Sequence, residues 1–139
     1  MISETTRRAV ADRAGQRCEY CQCPGGYSPG PFSIEHIAPR ALGGSDEIDN
    51  LAWACMGCNG HKAVAIIAND PTSGELAPLF NPRTQVWRDH FAWSDDALFF
   101  IGLTPCGRAT VARLMLNRMN VVNLRRILRE AELHPPAMS

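Results

Sequence analysis

Two cysteine pairs, Cys18-x2-Cys21 and Cys55-x2-Cys58, have the spacing that lets both thiolates of a pair turn toward one ion. Together they predict a single tetrahedral zinc held by four sulfurs. Such a centre is closed. It does no chemistry and instead holds together a motif too small to bury its own core. Between the pairs lie 33 residues, 22–54, more than the roughly 15–20 of a common zinc ribbon. Something folded must fill that interval. The interval and the residues just after it hold Glu35-His36, Asn50 and Cys58-Asn59-Gly60-His61-Lys62. One at a time these have dull readings, a surface pair in a strand or a turn. Together they supply what phosphodiester hydrolysis needs. A neutral imidazole, here His36, takes a proton from water near pH 7. A hard divalent cation on oxygen ligands, here Glu35 and Asn59, neutralises charge on the scissile phosphate and the leaving oxygen. Cys23 and Cys106 fit neither pair, although Cys23 lies close enough in sequence to compete as a ligand.

The elements that must position these groups follow from pattern. Ser3–Ala14 reads as a helix capped by Ser3 and stopped by Gly15. A Pro/Gly-rich loop runs from Cys23 to Pro31. Phe32–Ile37 alternates and carries β-formers, which predicts a strand, and Asn50–Ala54 is a second one beyond the turn Gly43-Gly44-Ser45-Asp46. The second knuckle leads into a helix expected to run through His61, Ala63, Ile66 and Ile67 and to stop before Asp70-Pro71. Phe91–Trp93 and Leu98–Leu103 predict a hairpin across Ser94-Asp95-Asp96-Ala97. Pro105–Met119 and Val121–Leu133 predict two helices, with Leu114, Leu116, Val122, Leu124, Ile127 and Leu128 available for burial. Trp53, Trp87 and Trp93 read as packing rather than base-stacking, because no alternation of aromatic and basic residues surrounds them. His90 and His134 read as structural.

Cys18-x2-Cys21, Ile34-Glu35-His36-Ile37-x-Pro39-Arg40, Gly43-Gly44, Asp49-Asn50-Leu51 and Cys55-x2-Cys58-Asn59-x2-Lys62 together resemble the HNH endonuclease motif with its zinc knuckles. The likeness is ordered and dense over residues 18–62. The stretches 78–83, 107–111 and 116–118 also resemble the tail of a bacterial HNH subgroup, a part that carries no known chemistry. The resemblance implies an α+β fold. Its centre would be a ββα-metal (His-Me) finger stapled by a four-cysteine zinc and flanked by an N-terminal helix, a small hairpin and C-terminal helices. It implies one nuclease domain over residues 1–139, with the finger at 18–68 and the C-terminal hairpin and helices at 86–133. It assigns His36 as general base and Asn50 as the residue that pins the hairpin loop and so orients His36. Glu35 and Asn59 become the ligands of a catalytic Mg2+ or Mn2+. Beside these, Arg40 and Lys62 are expected at the substrate phosphate, and His61 is open between a further metal ligand, a phosphate contact and a partly buried structural residue. Two departures stand out: Asn59 replaces the commoner third His, making an HNN variant, and Glu35 replaces the commoner Asp.

The bulk numbers bound the partners. With 139 residues the chain suits one compact domain. Formal net charge is zero, so nothing global steers it toward a polyanion. The charge is unevenly spread, however. Residues 42–80 carry five acids against Lys62, whereas residues 103–139 carry six arginines against Glu130 and Glu132. Thirteen of the fourteen basic residues are Arg, the type that grips phosphate through a planar fork. No run is long enough to span a bilayer, and the first residues lack the apolar core of a signal peptide. A cytoplasmic protein is therefore expected, with clustered thiols serving metal rather than disulfides. Nucleic acid is the expected partner, DNA ahead of RNA, with no membrane. One site per chain nicks one strand, so a double-strand cut asks for a homodimer or two encounters. The competing account is a zinc-finger DNA-binding module without catalysis, its basic face supplied by the Arg-rich C-terminal helices.

Overall fold

The computed structural model describes residues 2–137. The fold is α+β, built from helices and three two-stranded antiparallel sheets. Helix α1, Glu4–Arg13, starts where the Ser3 hydroxyl accepts the Thr6 amide, and it buries Val10 and Ala11. Its last residue, Arg13, reaches across to donate to the carbonyls of Ile48 and Leu51. The helix is thereby tied to the second strand of the candidate site.

Strand β1, Ser33–His36, pairs with β2, Leu51–Ala54, in the register Glu35↔Ala52 and His36↔Leu51. Successive side chains on a strand point to opposite faces. Accordingly Glu35 is buried while Ile34 and His36 remain half-buried. Helix α2, Met56–Lys62, follows β2 directly, with Cys55 as its N-cap. It stops at Lys62 because Ala63 takes a positive φ of 50°, which no helix continues. The expected continuation through Ile66 and Ile67 is therefore a different element. Ile67–Asn69 is strand β3, paired with β4, Leu76–Pro78. The Asp70 side chain organises the turn between them by accepting from the Thr72 amide and the Ser73 hydroxyl.

The short helix α3, Trp87–His90, leads into β5, Phe91–Trp93, which pairs with β6, Phe100–Gly102. Helix α4, Pro105–Arg113, opens with Thr104 as cap and Pro105 in the first turn. It ends earlier than its apolar pattern suggests, and Met115, at φ 51°, turns the chain into α5, Met119–Glu130. Trp87, Phe91, Trp93 and Phe100 stack edge-on or tilted at centroid distances of 4.5–5.6 Å, so Trp87 and Trp93, both half-buried, pack against the core. Trp53 packs against Phe32. His134 is buried and donates Nε2–H to the Ala97 carbonyl, while His90 meets Thr104 and Gln85. Leu114, Leu116, Val122 and Leu128 are buried as expected, but Ile127 is exposed. No helix among the described residues is long and apolar enough to cross a membrane.

Candidate functional site

The four knuckle sulfurs, Cys18, Cys21, Cys55 and Cys58, are all buried and lie within 4.8 Å of one another. Cys21 and Cys55 Sγ are 3.7 Å apart. A zinc with Zn–S bonds of about 2.3 Å sets tetrahedral edges of about 3.8 Å, so the thiols fit this ion. In each knuckle the first sulfur accepts the amide of the second cysteine at 3.4 Å, which turns both sulfurs inward. Arg118 donates to the sulfurs of Cys55 and Cys58 at 3.7–3.8 Å, a cation set against the thiolates. Burial pushes the Cys18 thiol well above its usual range. Cys23 lies outside the cluster, its thiol on the Pro24 carbonyl, and Cys106 faces Gln85.

His36 sits at the end of β1 with Nε2 2.8 Å from Asp46 Oδ1. Arg40 grips the same carboxylate with Nε and Nη2, at 3.0 and 3.1 Å. The hydrogen bond to His36, then that to Arg40, hold the Asp46 carboxyl below the usual range. These groups ride on the loop 37–50, and Asn50 pins it. The Asn50 Oδ1 accepts the Ala38 amide at 2.9 Å, and Nδ2 donates to the carbonyls of Ala38 and Ser45 at 3.0 and 2.8 Å. Gly44 makes that closure feasible, since a Cβ there would lie 1.7 Å from the Ala38 carbonyl oxygen. Arg40, expected beside substrate, thus has two of its nitrogens on Asp46.

An open cleft of about 280 Å³ runs along the edge of β1, lined by Glu35, His36, Arg40 and Asn59 among others. It gathers four of the residues singled out from sequence. Glu35 nevertheless turns away from His36, toward the core. Its Oε1 accepts the Tyr20 hydroxyl at 2.5 Å and its Oε2 the Lys62 ammonium at 2.9 Å. Lys62 is itself 1% exposed and also donates to the Ile37 carbonyl. An ammonium so placed does not reach a phosphate at the surface, which departs from the expected substrate contact. His61 is exposed. Asn59 donates Nδ2–H to the Ser33 hydroxyl, which leaves its Oδ1 without a hydrogen bond among the described residues. Glu35 and Asn59 fit a hard divalent cation in donor type, each Glu35 oxygen keeping a second lone pair. Lys62 sets a positive charge against the same carboxylate.

Several arginines of the C-terminal half donate within the chain, although only Arg125 is buried and Arg113 and Arg126 remain exposed. Arg125 is 2% exposed and donates to the carbonyls of Leu98 and Leu116, with its guanidinium over the Trp93 and Phe100 rings. Arg113 donates to the His61 carbonyl, Arg129 to that of Asp96, and Arg108 forms a two-pronged pair with Asp70. Sequence reasoning treated them as a candidate phosphate-gripping face. It also passed over Asp46, whose place in a Gly-Gly-Ser-Asp turn is unremarkable, and over Tyr20, which only its position inside the first knuckle could have flagged.

No curated protein and no solved structure matches the chain. Residues 18–64 match the family described as HNH endonuclease. The matched segment takes in both knuckles, His36, Asn50 and Asn59, and covers about a third of the chain.

Proposed function

We propose that the protein is a metal-dependent endonuclease that hydrolyses phosphodiester bonds, with DNA as the first substrate to test. In this reading β1, β2 and α2 form a ββα-metal finger stapled by zinc. The observation that carries it is His36, held by Asp46 at the mouth of a cleft that also contains Asn59. His36 takes the proton from the attacking water. Asn50 keeps the loop closed and the imidazole in place. Glu35, through the lone pairs that Tyr20 and Lys62 leave open, and Asn59 would hold a Mg2+ or Mn2+ ion, which would supply charge neutralisation at the scissile phosphate and the leaving oxygen. His61 stands exposed at the end of α2, where it can donate to a phosphate.

The test incubates the protein and its His36→Ala variant with supercoiled plasmid, with and without Mg2+ or Mn2+, after checking the zinc content of both. Loss of the base should slow nicking by about two to four orders of magnitude. One observation favours a second reading, a non-catalytic DNA-binding zinc module: Lys62 already neutralises Glu35. A plasmid that shifts on a gel but is never cut would establish that module instead. Against it, Arg125 is buried, and Arg113 and Arg129 each spend donors on the chain's own carbonyls.

A further inference from the structure

We infer that Asp46 is the positioning residue of the His36 site: it fixes the imidazole as the Nε2–H tautomer and so makes Nδ1 the nitrogen that accepts a proton. The second clause rests on the nuclease reading, whereas the first does not. An ionised carboxylate is an acceptor only, so an Nε2···Oδ1 contact of 2.8 Å requires the hydrogen on Nε2. A neutral imidazole carries one N–H, and the lone pair is then on Nδ1. The carboxylate cannot readily turn away, because Arg40 holds it at both oxygens. Nor is the contact a product of chain proximity. His36 and Asp46 are ten positions apart, on a strand end and in a loop, and they meet only because that loop is closed. The amide of Gly44 on Pro39 and the three hydrogen bonds of Asn50 close it. Arg40, Asp46 and His36 thus form a chain in which each member fixes the next, ending on one ring nitrogen. An orienting carboxylate behind a histidine base serves by selecting tautomer and ring orientation, and amide replacement of such a group presents the wrong tautomer.

The test uses the full, zinc-loaded chain labelled with 15N. Long-range 1H–15N correlation at a pH where the ring is neutral reads which His36 nitrogen carries the proton, with His36→Ala assigning the signals. Wild type should show protonated Nε2. Asp46→Asn, whose amide can donate to Nε2, should shift the population toward Nδ1–H. In plasmid nicking, Asp46→Asn should lower kcat by up to about 10⁴-fold, the loss that an amide in the orienting position produces elsewhere, with KM little changed. Asp46→Glu should restore part of the rate. Protonated Nδ1 in wild type, or a tautomer unmoved by Asp46→Asn, overturns the assignment. So does an Asp46→Asn variant that keeps its kcat. If the wild type cuts no nucleic acid, the nuclease reading fails and the tautomer spectra alone decide the role of Asp46.

Discussion

Replacing Lys62 with Met separates two roles for the same residue. The Lys62 and Glu35 side chains are 2% and 3% exposed and meet at 2.9 Å. Removing one partner of such a pair leaves the other charge buried alone, which costs about 3–5 kcal/mol. Tyr20 still donates to the Glu35 carboxylate at 2.5 Å, so the loss should sit at the lower end, about 3 kcal/mol. Against a total stability of about 5–15 kcal/mol that is a large fraction. With a urea m-value of about 1–3 kcal/mol/M, the midpoint falls by about 1–3 M. The measurement is urea unfolding at fixed free zinc, because a bound metal shifts apparent stability by mass action. Lys62→Met/Glu35→Gln should recover part of the loss, since a neutral amide replaces the stranded charge and the two sites couple. If Lys62 instead bound substrate phosphate, Lys62→Met would leave the midpoint alone and reduce the salt dependence of nucleic-acid binding by about one contact. An unfolding free energy within about 0.5 kcal/mol of wild type would refute the buried-pair account.

Three further outcomes follow from the same geometry. Chelating zinc, or replacing Cys58 with Ser, should unfold the segment around the four cysteines, because structural zinc contributes about 10–16 kcal/mol to small zinc motifs; circular dichroism that survives zinc loss would contradict this. Gly44→Ala should displace the loop that carries Asp46 and Asn50, since its Cβ would lie 1.7 Å from the Ala38 oxygen. Nicking should fall while zinc content stays whole, and unchanged nicking would show that the loop absorbs the side chain. Asp70 has its carboxyl held well below the usual range, chiefly by Arg108. A depressed carboxyl stabilises the fold fully above the unfolded value of about 3.9 and loses that contribution as pH falls through its own lower value. Asp70→Asn should therefore be less stable at neutral pH and flatter in its acid dependence, as read from urea midpoints across that range.

What the sequence made legible was local. Paired cysteines announce a metal because two residues of spacing suffice to aim both sulfurs. The alternation around Glu35 and His36 announces a strand. The same alternation sends adjacent residues to opposite faces, so a catalytic reading of both was in tension with the strand that carries them. Glu35 resolves that tension by turning to Tyr20 and Lys62. The overrun of α2 had a different cause. Ala63, Ile66 and Ile67 keep an apolar pattern that suits a helix, and the break comes from a positive φ at Ala63 that its side chain does not advertise. Asp46 was invisible because its partner is chosen by loop closure, a tertiary event. Composition likewise counts guanidinium groups but not their direction, and Arg113, Arg125 and Arg129 aim theirs at the chain's own carbonyls.

The single lysine of this chain has a practical corollary. A buried amine locked against a carboxylate reacts with acylating reagents only when its surroundings open. The rate at which Lys62 takes up such a label therefore clocks the opening of the segment that buries it, with no competing lysine to obscure the signal. Nucleic acid, zinc or a divalent cation that steadies the closed form should slow that clock. The residue that fills the interior thus doubles as a built-in reporter of what binds outside it.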